Sequence, residues 1–246
     1  MSMKRFNMKG PLISIVLPTY NESTNVGEMI HQILHYLGNN IEIIVVDDNS
    51  ADGTWKIAKE TAPNKVKVIR RLHKRGVGSA IFTGIKKASG RYIVWMDCDL
   101  SMPPHLLPRM IGLLSHYDVV VGSRYVMGGK DARSVIRVVT SRTINLLANL
   151  ILNFKVLDYD SGFIATKREV VDNVSFNPKG HGEYCIEFLY KAGKKSFKIK
   201  EIGYVFTERK KGESKTARYF FSILLYGAHY IWRILKIRFI NEHGKK

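Results

Sequence analysis

Asp47-Asp48 and Asp97-Cys98-Asp99 are the groups in this chain best suited to chemistry. Each closes a short apolar run, Ile43-Ile44-Val45-Val46 before the first and Tyr92-Ile93-Val94-Trp95-Met96 before the second. Each run is long enough for one buried strand that stops abruptly at carboxylates. In an open α/β sheet, ligands bind beyond the carboxyl ends of the strands. Four acids delivered to one sheet edge repel one another and are costly to desolvate. A divalent cation together with a nucleotide would account for them. Asp97-x-Asp99 places two carboxylates at one strand end, where Mg²⁺ or Mn²⁺ takes carboxylate oxygens and keeps waters and phosphates as its other ligands. The bland alternative for Asp97-x-Asp99 is a turn cap. Asp47 and Asp48 can read a ribose or base, and the run Asp48-Asn49-Ser50-Ala51-Asp52-Gly53 also carries turn chemistry.

The cations form a second constellation. Arg124 follows a short apolar run ending Val121-Gly122-Ser123, which aims it at the same crevice. Arg137 and Ser141 are four apart, hence neighbours on one helix face, and a guanidinium beside a hydroxyl suits a phosphate. The glycine-rich stretch Arg75-Gly76-Val77-Gly78-Ser79 can present backbone N–H groups to an anion, with close helix–sheet packing as the equal alternative.

The elements that must carry these residues alternate. Strands are expected at Ile13–Leu17, Ile41–Val46, Val66–Arg70, Tyr92–Met96 and Val119–Val121. Helices are expected at Asn25–Leu37, Thr54–Thr61, Gly76–Ala88 and Pro104–Ser115. That alternation predicts an α/β fold, a doubly wound, mostly parallel sheet flanked by helices. Beyond Gly122 the pattern predicts a long helix near Val135–Phe154, a helix near Glu183–Lys191 and a strand at Phe197–Ile202. The domain division expected is a catalytic unit over 10–204 and a basic loop plus C-terminal amphipathic helix over 205–246.

The chain has 246 residues, with 39 Lys and Arg against 21 acids, a formal charge of +18. Such a charge calls for an anionic partner: nucleic acid, a phosphorylated small molecule or an anionic membrane surface. A basic nucleic-acid-binding protein is the rival class, opposed by carboxylates at the site, so no nucleic acid is expected as a partner. Cys98 and Cys185 lie in apolar elements and read as small buried hydrophobes. Residues 1–9 are polar and basic with no apolar core of a secretory signal, so the expected place is the cytoplasm or the cytoplasmic face of a membrane. The uncharged stretch Tyr219–Trp232 is short of the ~20 residues a spanning helix needs. Lys215, Arg218, Arg233, Lys236 and Arg238 flank it. A helix lying in the membrane interface fits this best, ahead of one packed on the core.

Seven segments in order carry a resemblance. They are Pro18-Thr-Tyr-Asn-Glu22, Val46-Asp-Asp-Asn-Ser-Ala-Asp-Gly-Thr54, Met96-Asp-Cys-Asp-Leu-Ser101, Gly122-Ser-Arg-Tyr125, Arg137-x-x-x-Ser141, Asp160-Ser-Gly-Phe163 and Arg209-x-x-Gly-x-Ser-Lys215. Together they resemble the inverting family-two glycosyltransferases, in particular the subgroup acting on polyprenyl phosphates. The resemblance implies a GT-A fold, Mg or Mn, GDP-mannose as donor and dolichyl phosphate as acceptor, with UDP-glucose as the alternative donor. By position it assigns Pro18, Tyr20, Glu22 and Asp48 to the nucleotide. It assigns Asp97, Asp99 and Ser101 to the metal. Arg124, Arg137 and Ser141 fall to the acceptor phosphate, and Arg209 and Lys215 to a loop closing the site. Asp99, Arg124 and Arg137 are the catalytic candidates, Asp99 being the nearest group to a base should one be needed. Some relatives add transmembrane helices, so membrane contact is expected from the amphipathic tail or a membrane subunit.

Overall fold

The computed structural model describes residues 12–154, 156–175, 178, 182–207 and 230–240. Its centre is a seven-stranded sheet of order β3-β2-β1-β4-β7-β5-β8. The strands are β1 (Ile13–Thr19), β2 (Ile41–Asp47), β3 (Val66–Arg70), β4 (Tyr92–Trp95), β5 (Val119–Ser123), β7 (Ile164–Lys167) and β8 (Ile199–Gly203). β1 pairs in parallel with both β2 and β4, so these three carboxyl ends open side by side. β7 runs antiparallel between β4 and β5. Strands β6 (Lys130–Asp131) and β9 (Val205–Phe206) form a separate two-stranded parallel pair.

Both faces of the sheet are covered, which is why its strands read as unbroken apolar runs. Val16, Ile44 and Val46 face one layer, built with α3 (Val77–Lys87), α5 (Val135–Leu152), α6 (Arg168–Asn173) and α7 (Glu183–Lys194). Ile15, Leu17, Ile43 and Val45 face the other, built with α1 (Val26–Leu37), α2 (Thr54–Thr61) and α4 (Leu107–Leu113). Helix α3 lies close on the sheet: a Cβ at Gly84 would stand 2.3 Å from Val16 Cγ1. Gly84 therefore serves close helix–sheet packing.

Two departures from the sequence reading matter. β7 was not expected, because four residues, Ile164-Ala165-Thr166-Lys167, are too few to show alternation. Helix α5 stops at Leu152, where Asn153 turns left-handed at φ 48°, and not at Phe154. In the tail, the uncharged stretch Tyr219–Trp232 lies outside the described residues except for 230–232. Residues 230–235 are helical and Lys236–Ile240 continue as a π turn. Tyr230, Ile234 and Ile237 are buried in the core layer, while Ile231, Trp232 and Phe239 are exposed. The described part of the tail is thus packed on the core along one face and leaves apolar residues exposed on another.

Candidate active site

The carboxyl ends of β1, β2 and β4 open into a cavity of about 640 Å³. Its wall includes Pro18, Tyr20, Glu22 and Asp48 at one end, Asp97, Asp99 and Ser101 in the middle, and Arg124 and Arg137 beyond. The sequence therefore brings these nine residues to one place. Ser141 is buried behind the wall, and Arg209 and Lys215 lie outside the described residues.

Asp47 corrects the reading of the first acidic pair. It is fully buried. Its Oδ1 accepts the Ser50 N–H (2.9 Å), and its Oδ2 accepts the hydroxyls of Thr19 (3.0 Å) and Ser50 (2.5 Å). Asp47 ties the ends of β1 and β2 together and is not part of the cavity wall. Asp48 does reach the cavity, held by two donors: Gly76 N–H to Oδ2 (2.8 Å) and Arg71 Nε to Oδ1 (2.6 Å). Arg71 also donates to the Ser79 hydroxyl (2.8 Å) and to the Gly76 carbonyl (3.1 Å). The Gly76 N–H, one of the groups the sequence offered to an anion, is thus engaged by Asp48. Glu22 is buried and accepts Asn25 Nδ2 (2.9 Å), while its own N–H donates to the Thr54 hydroxyl (2.8 Å). The Arg75 guanidinium stands 4.8 Å from the Tyr20 ring centre, a cation–π stack at the mouth.

Asp97 and Asp99 follow β4 through a turn in which Leu100 takes φ 63°. The Ser101 N–H (3.1 Å) and hydroxyl (2.5 Å) both donate to Asp99 Oδ1, so Ser101 fixes that carboxylate in place. Among the described residues no three His, Cys, Asp or Glu side chains cluster as a closed metal cage. Two hard carboxylates at one strand end, with room beside them, fit a divalent cation whose remaining ligands are water and phosphate. They do not fit a closed structural zinc site.

The far end is a buried ion network. Arg124 Nε (2.8 Å) and Nη2 (2.6 Å) donate to the two oxygens of Asp158, and the Arg124 N–H donates to the same carboxylate (2.8 Å). Arg124 Nη2 stands 3.5 Å from Asp160 Oδ2. Burial works against the Arg124 charge, but the Asp158 hydrogen bonds and the Asp158 and Asp160 charges outweigh it and hold its pKa well above the usual range. Burial, reinforced by Asp158, raises the Asp160 carboxyl against the pull of Arg124 and Tyr230. Arg133 also lines the wall, bonded through Nε (2.8 Å) and Nη2 (2.6 Å) to Asp131. Sequence reasoning missed Arg71, Arg133, Asp158 and the wall aromatics Tyr184, Tyr204 and Tyr230. Only the Asp158-Tyr159-Asp160 spacing offered a signal, two acids alternating beside a glycine turn.

An α/β sheet with acids at the ends of β2 and β4, and arginines across one cavity, is the layout of a GT-A fold. The chain belongs to glycosyl transferase family 2, whose sequence model matches residues 14–175. Two curated relatives share much of it. The "Dolichol-phosphate mannosyltransferase" of Pyrococcus furiosus is 41% identical over 82% of this chain and 58% of its own length. The "Polyprenol monophosphomannose synthase" of Mycolicibacterium smegmatis is 33% identical over 82% of this chain and 79% of its own. This chain therefore spans little more than half of the Pyrococcus protein. Among solved structures, the glucosyl-3-phosphoglycerate synthase of Mycobacterium tuberculosis, crystallised with Mn²⁺, UDP and glucosyl-3-phosphoglycerate, superposes with a TM-score of 0.71. The match covers 93% of this chain and 80% of that one at 22% identity, a likeness of fold.

Proposed function

We propose that this chain transfers mannose from GDP-mannose to a polyprenyl phosphate of the dolichyl type, with inversion at the sugar. The observation that carries the reading is the layout of one cavity. Carboxylates stand at the strand ends on one side and arginines on the other, with room between for a sugar. The names of the two curated relatives supply the sugar and the lipid. Catalysis is assigned to residues 10–204, with 205–246 supplying the loop and the helix that complete the acceptor side.

Asp48, held by Arg71 and Gly76, would take the nucleoside with Pro18, Tyr20 and Glu22. Asp97 and Asp99 would hold Mg²⁺ or Mn²⁺, which when bound offsets the negative charge of the diphosphate leaving group. Arg124 and Arg137 would orient the acceptor phosphate. A phosphate monoester is already anionic at neutral pH, so it needs alignment more than deprotonation. Its oxygen forms the bond to the anomeric carbon as the bond to the diphosphate breaks, and GDP departs with that electron pair. No group need act as a base, and Asp99 is assigned to holding the cation.

Helix α5 would supply a second membrane contact beside the one the sequence places in the tail. Val135, Ile136, Val139, Leu146 and Leu150 are exposed along its outer face. Ser141, Ile144, Asn145, Ala148 and Leu152 are buried along the inner one. The helix is long and apolar enough to cross a membrane, yet 72% of that stretch is not buried and the rest is docked on the fold. It carries Arg137 and Arg142 and no acid. A helix so built lies in a membrane surface with its apolar stripe inserted and its cations near anionic headgroups. The same helix brings Arg137 to the cavity, which would present the acceptor phosphate where the lipid enters.

Calorimetric titration with GDP and with UDP, each with and without Mn²⁺, tests the donor assignment. GDP is expected to bind only with the cation and more tightly than UDP. Tighter UDP binding would overturn the assignment, as would GDP binding indifferent to the metal.

A further inference from the structure

Tyr230, on the C-terminal helical segment, reaches the cavity and donates its hydroxyl to Asp160 Oδ1 at 2.8 Å. The segment is fixed on the outside as well: Arg233 Nη2 (2.5 Å) and Nε (3.1 Å) donate to Glu187 on α7, and Ile234 and Ile237 are buried. Gly182 leaves space for the contact. A Cβ there would stand 2.1 Å from Tyr230 Oη and 2.6 Å from Asp160 Oδ1.

The other oxygen of Asp160 is held loosely. Oδ2 is 3.5 Å from Arg124 Nη2 and 3.5 Å from the Ser141 hydroxyl. Charge-assisted bonds between guanidinium and carboxylate ordinarily close to 2.7–2.9 Å. Among the described residues Arg124 makes such bonds with Asp158 alone, the Asp131 carboxylate standing 3.7 Å from its Nη1. A second carboxylate closing on it would compete with any incoming phosphate for the same guanidinium.

We propose that Tyr230 is a positioning residue for the acceptor: by holding Asp160 toward the C-terminal helix, it keeps that carboxylate from closing on Arg124 and leaves the guanidinium able to receive a phosphate. The inference rests on the reading that Arg124 binds the acceptor phosphate. It assigns the C-terminal helix a part in acceptor recognition separate from any contact with a membrane. Tyr230→Phe removes the restraint while keeping the ring that fills the wall.

The experiment measures binding of detergent-dispersed polyprenyl phosphate and of GDP to the full chain, and the KM for each substrate in the transfer reaction. Tyr230→Phe is expected to weaken acceptor binding and raise the acceptor KM about tenfold, the scale of one hydrogen bond lost to a charged group. GDP binding should be unchanged. Adding Asp160→Asn to Tyr230→Phe should restore most of the loss, because an amide does not ion-pair with Arg124. Gly182→Ala, which wedges the two side chains apart, should reproduce the acceptor-only defect. A silent Tyr230→Phe would overturn the proposal, as would a parallel loss of GDP binding or a double variant no better than the single. If the unaltered chain binds no polyprenyl phosphate, the functional reading itself fails and this inference falls with it. If it binds and Tyr230→Phe changes nothing, the inference alone fails.

Discussion

Arg137→Ala is expected to lower transfer roughly 10²–10³-fold, the usual effect of removing one fixed donor from a charged reaction centre, while GDP still binds and the protein unfolds as before. Arg124→Ala is expected to lose transfer and, in addition, about 3–5 kcal/mol of stability. The two arginines occupy the same end of the cavity but different surroundings. Arg124 is 5% exposed and holds the fully buried Asp158 through two side-chain bonds, with Asp160 a further 3.5 Å away. Taking it out leaves the buried Asp158 and the partly exposed Asp160 beside each other without that cation. Arg137 is half-buried on α5 at the cavity wall. The clean test of acceptor binding is therefore Arg137. Transfer kinetics, GDP titration and denaturant unfolding on both variants check the contrast. Loss of GDP binding in Arg137→Ala would contradict its assignment to the acceptor, and unaltered unfolding of Arg124→Ala would contradict the network as a structural unit.

The paired change Val139→Glu and Leu146→Glu is expected to release the protein from anionic vesicles, weakening binding by about 10²-fold or more. The estimate counts roughly 1.5–3 kcal/mol for each large apolar side chain withdrawn from the acyl boundary. Both residues are more than half exposed, so the fold should keep its stability. Vesicle sedimentation with matched unfolding curves checks this. Deletion of 217–246 would be a less specific test, because it removes the Tyr230 contact with Asp160 and the Arg233 contact with Glu187. It would damage the cavity and the core together. Undiminished sedimentation of the double variant would show that α5 is not the docking face.

The first half of the fold was legible because β1, β2 and β4 are covered on both faces. Strands of that kind are continuous apolar runs, and each ends at a residue that the solvent-facing edge requires. Asp48, Asp97 and Asp99 were found on that ground. Asp47 was misread although a signal existed. Side chains alternate along a strand, so Asp47, two residues after Val45, points into the same layer as Val45 and away from the crevice that its neighbour faces. β7 escaped because four residues carry no period. Arg71 and Tyr230 escaped for a different reason. Each acts through a partner far along the chain, 70 residues away for Tyr230 and Asp160, and no local pattern encodes such a pair. The tail reads as an interface helix because cations flank its uncharged stretch of apolar residues, of which only 230–232 are described. Only packing against α7 shows which of them the protein keeps for itself.

A transfer assay tests the central claim most directly. The protein would be mixed with Mn²⁺, detergent-dispersed dolichyl phosphate and either GDP-mannose or UDP-glucose, and the lipid phase analysed for sugar. The account predicts a mannosyl lipid from GDP-mannose and none from UDP-glucose. A lipid-linked sugar formed only from UDP-glucose would contradict the donor, and no lipid product from either would contradict the acceptor and the reaction.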